Sequence, residues 1–306
     1  MNDHMHAAGE FMAGLRYQHF DWSGAYRQGA HSLGDADLLA DGYMMRARSM
    51  HMDMAMLDLM YGISDALTVT VSPQYVWNRM TVVGIDPMGA MNGGMMVGET
   101  ARASTHGFGD TLVAASFRLK RGEHLNAHLT LGAWAPTGRA KLKNTDGSFT
   151  EYDMQTGSGT WDLEPSATLT GQEGAVGWGA QAGYRLRAER RNDAGYRLGN
   201  RALLTGWLSY RLAAPLEATA RAEYTHQGRI HGMYNGPASM GMPEDAPANT
   251  GGSLLVGAAG LNWKPALGMQ RGPQIGVELG VPIHQRVNGV QMPQKWQVSV
   301  ATRYFF

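Results

Sequence analysis

The chain has 306 residues, among them 41 Gly, 21 Met and no Cys, with 26 basic and 26 acidic side chains. Balanced charge excludes a nucleic-acid binder that works by counterion release, and the missing Cys excludes disulfide scaffolds, thiolate zinc sites and cysteine nucleophiles. No run of about 18 apolar residues is present, so no segment reads as a transmembrane helix. The opening Met-Asn-Asp-His-Met-His has neither the basic nor the apolar region of a signal peptide, as expected of a cytoplasmic chain or of a processed mature form.

Twelve segments alternate with a period of two. In chain order they are Phe11–Gln18, Met52–Tyr61, Leu67–Asn78, Asp110–Leu119, Leu125–Pro136, Trp161–Leu169, Val176–Arg187, Leu203–Leu212, Leu216–Thr225, Leu254–Trp263, Gln274–Ile283 and Trp296–Phe306. Strands of about 9–11 residues fit a tilted bilayer crossing, whereas a soluble sandwich would also alternate. Three features favour the membrane. Short turns at Ser64–Ala66, Lys120–His124, Gly171–Ala175, Ala213–Pro215 and around Lys264–Pro273 alternate with long loops over 23–50, 79–107, 137–160, 188–202 and 226–252. The connection at 285–294 is of medium length. Such asymmetry is that of short periplasmic turns and long external loops. Aromatic residues end the apolar faces, for example Tyr17, Tyr61, Trp77, Trp161, Tyr210, Trp263 and Tyr304, as interfacial girdles do. Finally, the ions fall on the polar face, and the apolar face of the same segments is read as free of them. A dry core would not tolerate that polar face.

The expected architecture is therefore a single all-β domain over 1–306, a transmembrane antiparallel up-and-down β-barrel of about 12 strands, with 1–9 as an amino-terminal arm. Val300, Thr302, Tyr304 and Phe306 share one face, and Phe306 ends the chain. This ending resembles the assembly signal of outer-membrane proteins, which makes the barrel assembly machinery and outer-membrane lipid the expected partners. An even strand number places both termini on the periplasmic side.

The polar face puts Arg16, Asp58, Asp110, Arg118, Asp162, Glu164, Arg185, Arg187, Arg211, Glu217, Arg221, Glu223, Glu278 and Arg303 in the lumen. They form either a satisfied internal network or a polar constriction that selects small solutes. Twelve of the methionines fall between Met44 and Met96. Alternation turns Met52, Met54, Met56, Asp58 and Met60 inward. A thioether ladder is soft packing or a soft ligand set for Cu(I) or Ag(I). His4 is third in line if Met1 is removed, an arrangement that chelates Cu(II), with His6 close by. No cofactor other than such a copper ion is expected. No serine–histidine arrangement faces the bilayer as a lipid-cleaving site requires, so the chain is read as non-enzymatic.

Tyr61-Gly-Ile-Ser-Asp-Ala-Leu-Thr-Val-Thr-Val-Ser-Pro-Gln-Tyr75, Gly107-Phe-Gly-Asp-Thr-Leu-Val-Ala-Ala-Ser-Phe117, Ala135-Pro-Thr-Gly138 and the Tyr304-Phe-Phe306 end together resemble the transporter-like outer-membrane barrels grouped with the meta-pathway of phenol degradation. The Met-rich stretch at Met52–Met60 is similar to a copper-associated subgroup of them. The resemblance implies an uptake or efflux channel in the outer membrane of a Gram-negative bacterium, with aromatic or other hydrophobic compounds as cargo. The expectation is a passive channel for a small-molecule solute, occluded in part by the arm or by the loop at 79–107. The alternative is a copper-handling barrel that uses the lumen and loop methionines.

Overall fold

The computed structural model describes residues 4–89, 91, 94–122, 124–264 and 272–306. In chain order its elements are β1 (Phe11–Ser23), β2 (Tyr26–Gly29), β3 (His31–Leu33), helix α1 (Asp35–Ala40), β4 (Met45–Ser64), β5 (Leu67–Ser72), β6 (Gln74–Gly84), β7 (Thr100–Phe108), β8 (Thr111–Lys120) and β9 (Asn126–Ala135). There follow β10 (Asp162–Glu173), β11 (Val176–Arg187), β12 (Tyr196–Arg197), β13 (Arg201–Ala213), β14 (Leu216–Gln227), β15 (His231–Gly232), β16 (Gly252–Trp263), β17 (Gly272–Gln291) and β18 (Gln294–Phe305).

β1 pairs with both β4 and β18, which closes the sheet into a twelve-stranded antiparallel barrel. β5 and β6 are two halves of one stave, divided at Pro73, which has no N–H to give the ladder. Its carbonyl still accepts from Leu57 N at 3.0 Å. β7 and β8 are likewise halves of the next stave, divided at Gly109 and Asp110.

The wall is inside out. Leu131 on β9 is 54% exposed on the outer face, while Thr68 on β5 is fully buried within. Leu15, Leu163, Leu208 and Leu279 are exposed like Leu131. A lipid solvent rewards that partition. Inside, Trp207 lies across Gly179, where any Cβ would overlap the indole.

Three of the expected loops are corrected. β6 continues to Gly84 and β7 resumes at Thr100, so about half of 79–107 is paired sheet. β4 begins at Met45, inside the expected loop over 23–50, and only Met292 and Pro293 separate β17 from β18. The reason is a reversal of polarity along the staves. Beyond Asn78, Met80 and Val82 are buried inside while Arg79 is exposed outside. Above the membrane the barrel wall is built as an ordinary soluble sheet, so the lipid-facing pattern ends there while the strand does not.

The apolar inner face of that upper wall is covered by the long loops. Tyr26, Leu38, Met50, Met80, Met154, Met242 and Met292 form one core. Phe149, Tyr152, Tyr196 and Tyr234 form a second, in which the Tyr152 and Tyr234 rings stack at 4.3 Å. The segment between β9 and β10 folds into the mouth. Asn78 Nδ2 donates to the Met154 carbonyl at 3.3 Å, and the Asp110 carboxylate accepts Ser158 N–H at 2.8 Å and Gly138 N–H at 3.2 Å.

At the opposite end the arm folds back on the barrel. His6 N–H donates to Thr68 Oγ1 at 3.0 Å, and Arg118 Nη2 donates to the His6 carbonyl at 3.2 Å. Gly62 makes room for the Ala7 carbonyl, which a Cβ would strike.

Candidate functional site: the lumen

Between the loop dome and the arm lies a lumen cavity of about 690 Å³. Strand alternation gives it two unlike walls. β4 contributes Met52, Met54 and Met56, β8 contributes Leu112 and Ala114, and β9 contributes Trp134. Met54, Met56, Leu112, Ala114 and Trp134 pack as one apolar cluster. Around the other side stand Glu164, Arg185, Arg201, Arg221, Glu223 and Glu278.

The ions are paired along the staves. Arg185 Nε donates to Glu164 Oε2 at 2.6 Å, and Trp134 Nε1 donates to the same oxygen at 3.1 Å. Arg221 grips Glu278 with two donors, at 3.0 Å from Nε and 2.5 Å from Nη2, and also pairs with Glu223. Lys264 Nζ donates to Glu217 at 2.5 Å. Arg16 Nη2 donates to Asp58 at 2.6 Å and meets the Met56 sulfur at 3.3 Å.

The expected lumen ions separate into three groups. Arg16, Glu164, Arg185, Glu217, Arg221, Glu223, Glu278 and Arg303 line the cavity, and Asp58 is held by Arg16 outside the lining. Asp162 and Arg187 pair away from it, with side chains 0% and 4% exposed. Asp110 holds the inserted loop, Arg118 holds the arm, and Arg211 lies outside the cavity lining. Arg201 and Lys264 also line the cavity. The alternating segment begins at Leu203, two residues beyond Arg201, and Lys264 falls in an expected turn.

The apolar face is not free of ions, which corrects the expectation. Asp53 on β4 points outward. It accepts from Tyr17, from Arg79 and, at 2.7 Å, from the His19 ring. His51 pairs with Asp21 at 3.1 Å beside it. Trp77 and Trp296 flank the cluster, the latter 4.8 Å from the His19 ring, so the ions stand among aromatic residues of the kind that mark a membrane interface.

Of the candidate metal residues, Met52, Met54 and Met56 line the cavity, and Met60 is buried opposite Met12 on the neighbouring stave. The His4 and His6 rings lie 5.0 Å apart against Phe305. Asn2 and Asp3 lie outside the described residues. Among the described residues no group of three His, Cys, Asp or Glu side chains is arranged to hold a metal ion. Burial holds the His6 imidazole down to about 4, with His4 adding to the effect.

The dome carries a second set of carboxyl groups. Tyr26 OH donates to Glu244 Oε1, while Glu244 Oε2 and Asp245 Oδ1 are buried without hydrogen-bond partners among the described residues. Burial pushes Glu244 up to about 7; the Tyr26 hydrogen bond offsets part of this, and Asp153 and Asp245 add to it. Burial likewise pushes Asp245 up to about 6, with Glu151 adding to it and the Met242 N–H opposing.

The family model described as MetA-pathway of phenol degradation matches residues 25–239. Among solved structures, an outer-membrane channel from Pseudomonas putida superposes with a TM-score of 0.63 at 14% identity, covering 100% of this chain and 98% of that one. A mutant of the TodX monoaromatic hydrocarbon channel gives a TM-score of 0.45 at 11% identity, covering 98% and 90%. The KdgM porin gives 0.44 at 11%, covering 96% and 99%. No curated protein matches the chain.

Proposed function

We propose that this chain, which belongs to the MetA-pathway of phenol degradation family, is a passive channel of the bacterial outer membrane that carries small, largely hydrophobic molecules through its lumen. The observation that carries the reading is the two-walled cavity. Its apolar side, from Met52 to Trp134, offers a surface to an apolar solute, and its paired ions keep the remainder wetted without excess charge. The channel of Pseudomonas putida with the same fold is consistent with this. The long loops face the cell exterior and the arm faces the periplasm, where Phe306 serves recognition by the assembly machinery. Proteoliposome flux tests the reading. Entry of a small aromatic solute should be faster than in protein-free vesicles, and equal rates would refute it.

A second reading, copper handling, draws support from one feature. Met50, Met52, Met54 and Met56 follow one another up the inner face of β4 from the lumen into the dome core, where Met154, Met242 and Met292 join them. Thioethers favour Cu(I). Chelator-competition titration with Cu(I) would then show a saturable site that Met→Leu changes at 52, 54 and 56 remove; silent titration would dispose of it.

A further inference from the structure

Most arginines of the lumen are spoken for, but Arg201 is not. It lines the cavity at the start of β13, and among the described residues its guanidinium has no hydrogen-bond or ion-pair partner. Its nearest opposite charges, Glu164 and Glu223, are held by Arg185 and Arg221. Arg201 stands directly across the ladder from Arg185, which already bonds Glu164. Next along the wall comes Trp134, beneath the Arg185 guanidinium, and then the apolar cluster of Leu112 and Met56. Three stave spacings, about 14 Å of wall, separate the Arg201 backbone from that of Trp134, and the long Arg201 side chain spans part of it.

We propose that Arg201, Arg185, Trp134 and the Leu112–Met56 surface form a binding subsite for an organic monocarboxylate with an apolar tail. This rests on the channel reading and names the cargo class of that lumen. A guanidinium with open donors matches a carboxylate in a planar, two-bond geometry. A single carboxylate gives Arg201 the partner it lacks, since Glu164 and Glu223 are already held by Arg185 and Arg221. The tail then lies over Trp134 onto the methionine side, and the cavity volume falls within the range of small-molecule sites.

Calorimetry with the full chain in nanodiscs, against empty nanodiscs, tests this with octanoate and octanol as matched probes. Octanoate should bind saturably, and octanol at least about tenfold more weakly. Arg201→Gln should weaken octanoate about tenfold or more and leave octanol unchanged, while Arg201→Lys restores part of the loss. Equal affinity for the two probes, an unaffected Arg201→Gln protein, or no saturable heat would overturn the proposal. If Arg201→Gln loses the heat-modifiable band shift of a folded barrel, Leu112→Asn replaces it and must weaken octanoate while leaving butyrate binding unchanged. Flux in proteoliposomes separates the two readings. Binding without flux removes the channel and keeps the subsite, and flux without saturable binding does the reverse.

Discussion

The Arg185 guanidinium lies 3.8 Å from the centroid of the Trp134 ring, and both side chains donate to the same oxygen of Glu164. This contact joins the apolar wall of the lumen to its ionic wall. The aromatic face attracts the cation while the shared carboxylate fixes its direction. Replacing Arg185 by Leu leaves Glu164 without its strongest partner inside the pore. The reversal potential in a salt gradient should shift toward cation preference, and Glu164→Gln should shift it the opposite way. Unchanged selectivity in both variants would show that the pair lies off the conduction path.

Asp162 and Arg187 make a pair with no solvent to share the charge, since their side chains are 0% and 4% exposed. Removing one partner strands the other, so Asp162→Ala should cost roughly 3–5 kcal/mol of barrel stability in urea unfolding. The double change Asp162→Leu with Arg187→Met should lose much less, because neither charge is then left buried. Equal losses in the single and double variants would contradict this account.

The dome carboxyls fix a pH dependence. Glu244 and Asp245 are raised to about 7 and about 6, so the closed dome holds more protons than an opened one. Its stability is therefore fully present below the ordinary carboxylate range and is lost progressively as pH rises from that range to about 7. Hydrogen exchange at Tyr152 and Tyr26 should be slow at pH 5 and faster at pH 8. Glu244→Gln should flatten the difference, and a dome more protected at pH 8 would reverse the sign of the argument.

The arm has the opposite sense. A buried imidazole held down to about 4 takes up its proton more readily once undocked, so docking weakens as pH falls from about 6.5 toward 4. Protease cleavage of the arm should accelerate below pH 6, and His6→Leu should remove the pH dependence. Cleavage independent of pH in the unaltered protein would argue that His6 does not govern docking.

The barrel was legible because lipid outside and water inside impose one rule on every crossing. Leu129 and Leu131 out, His128 and Thr130 in, is enough to orient β9. The rule lapsed where the solvent changed. At Arg79 and Met80 the wall leaves the membrane and the pattern inverts, so the lipid-facing alternation stops there although the strand continues. Asp53 was hidden for a related reason, since at the interface an outward carboxylate is satisfied by Tyr17, His19 and Arg79. The lumen ions were placed by face alone. Which of them meet open cavity depends on loops that fold inward, as Asp110 and Asp162 illustrate, and alternation carries no information about loops. The methionines of the dome core were visible as a composition but not as a cluster, because Met50, Met154, Met242 and Met292 come together only through tertiary contacts.

The central claim is that solute passes through the lumen, and single-channel conductance in planar bilayers tests it most directly with two neighbouring substitutions on β10. Ser166 lines the cavity and Ala167 is exposed on the outer face. Ser166→Trp should reduce the conductance of the open channel severalfold, while Ala167→Trp leaves it at the value of the unaltered protein. Equal conductance in all three proteins, or no conductance in any, would contradict the account.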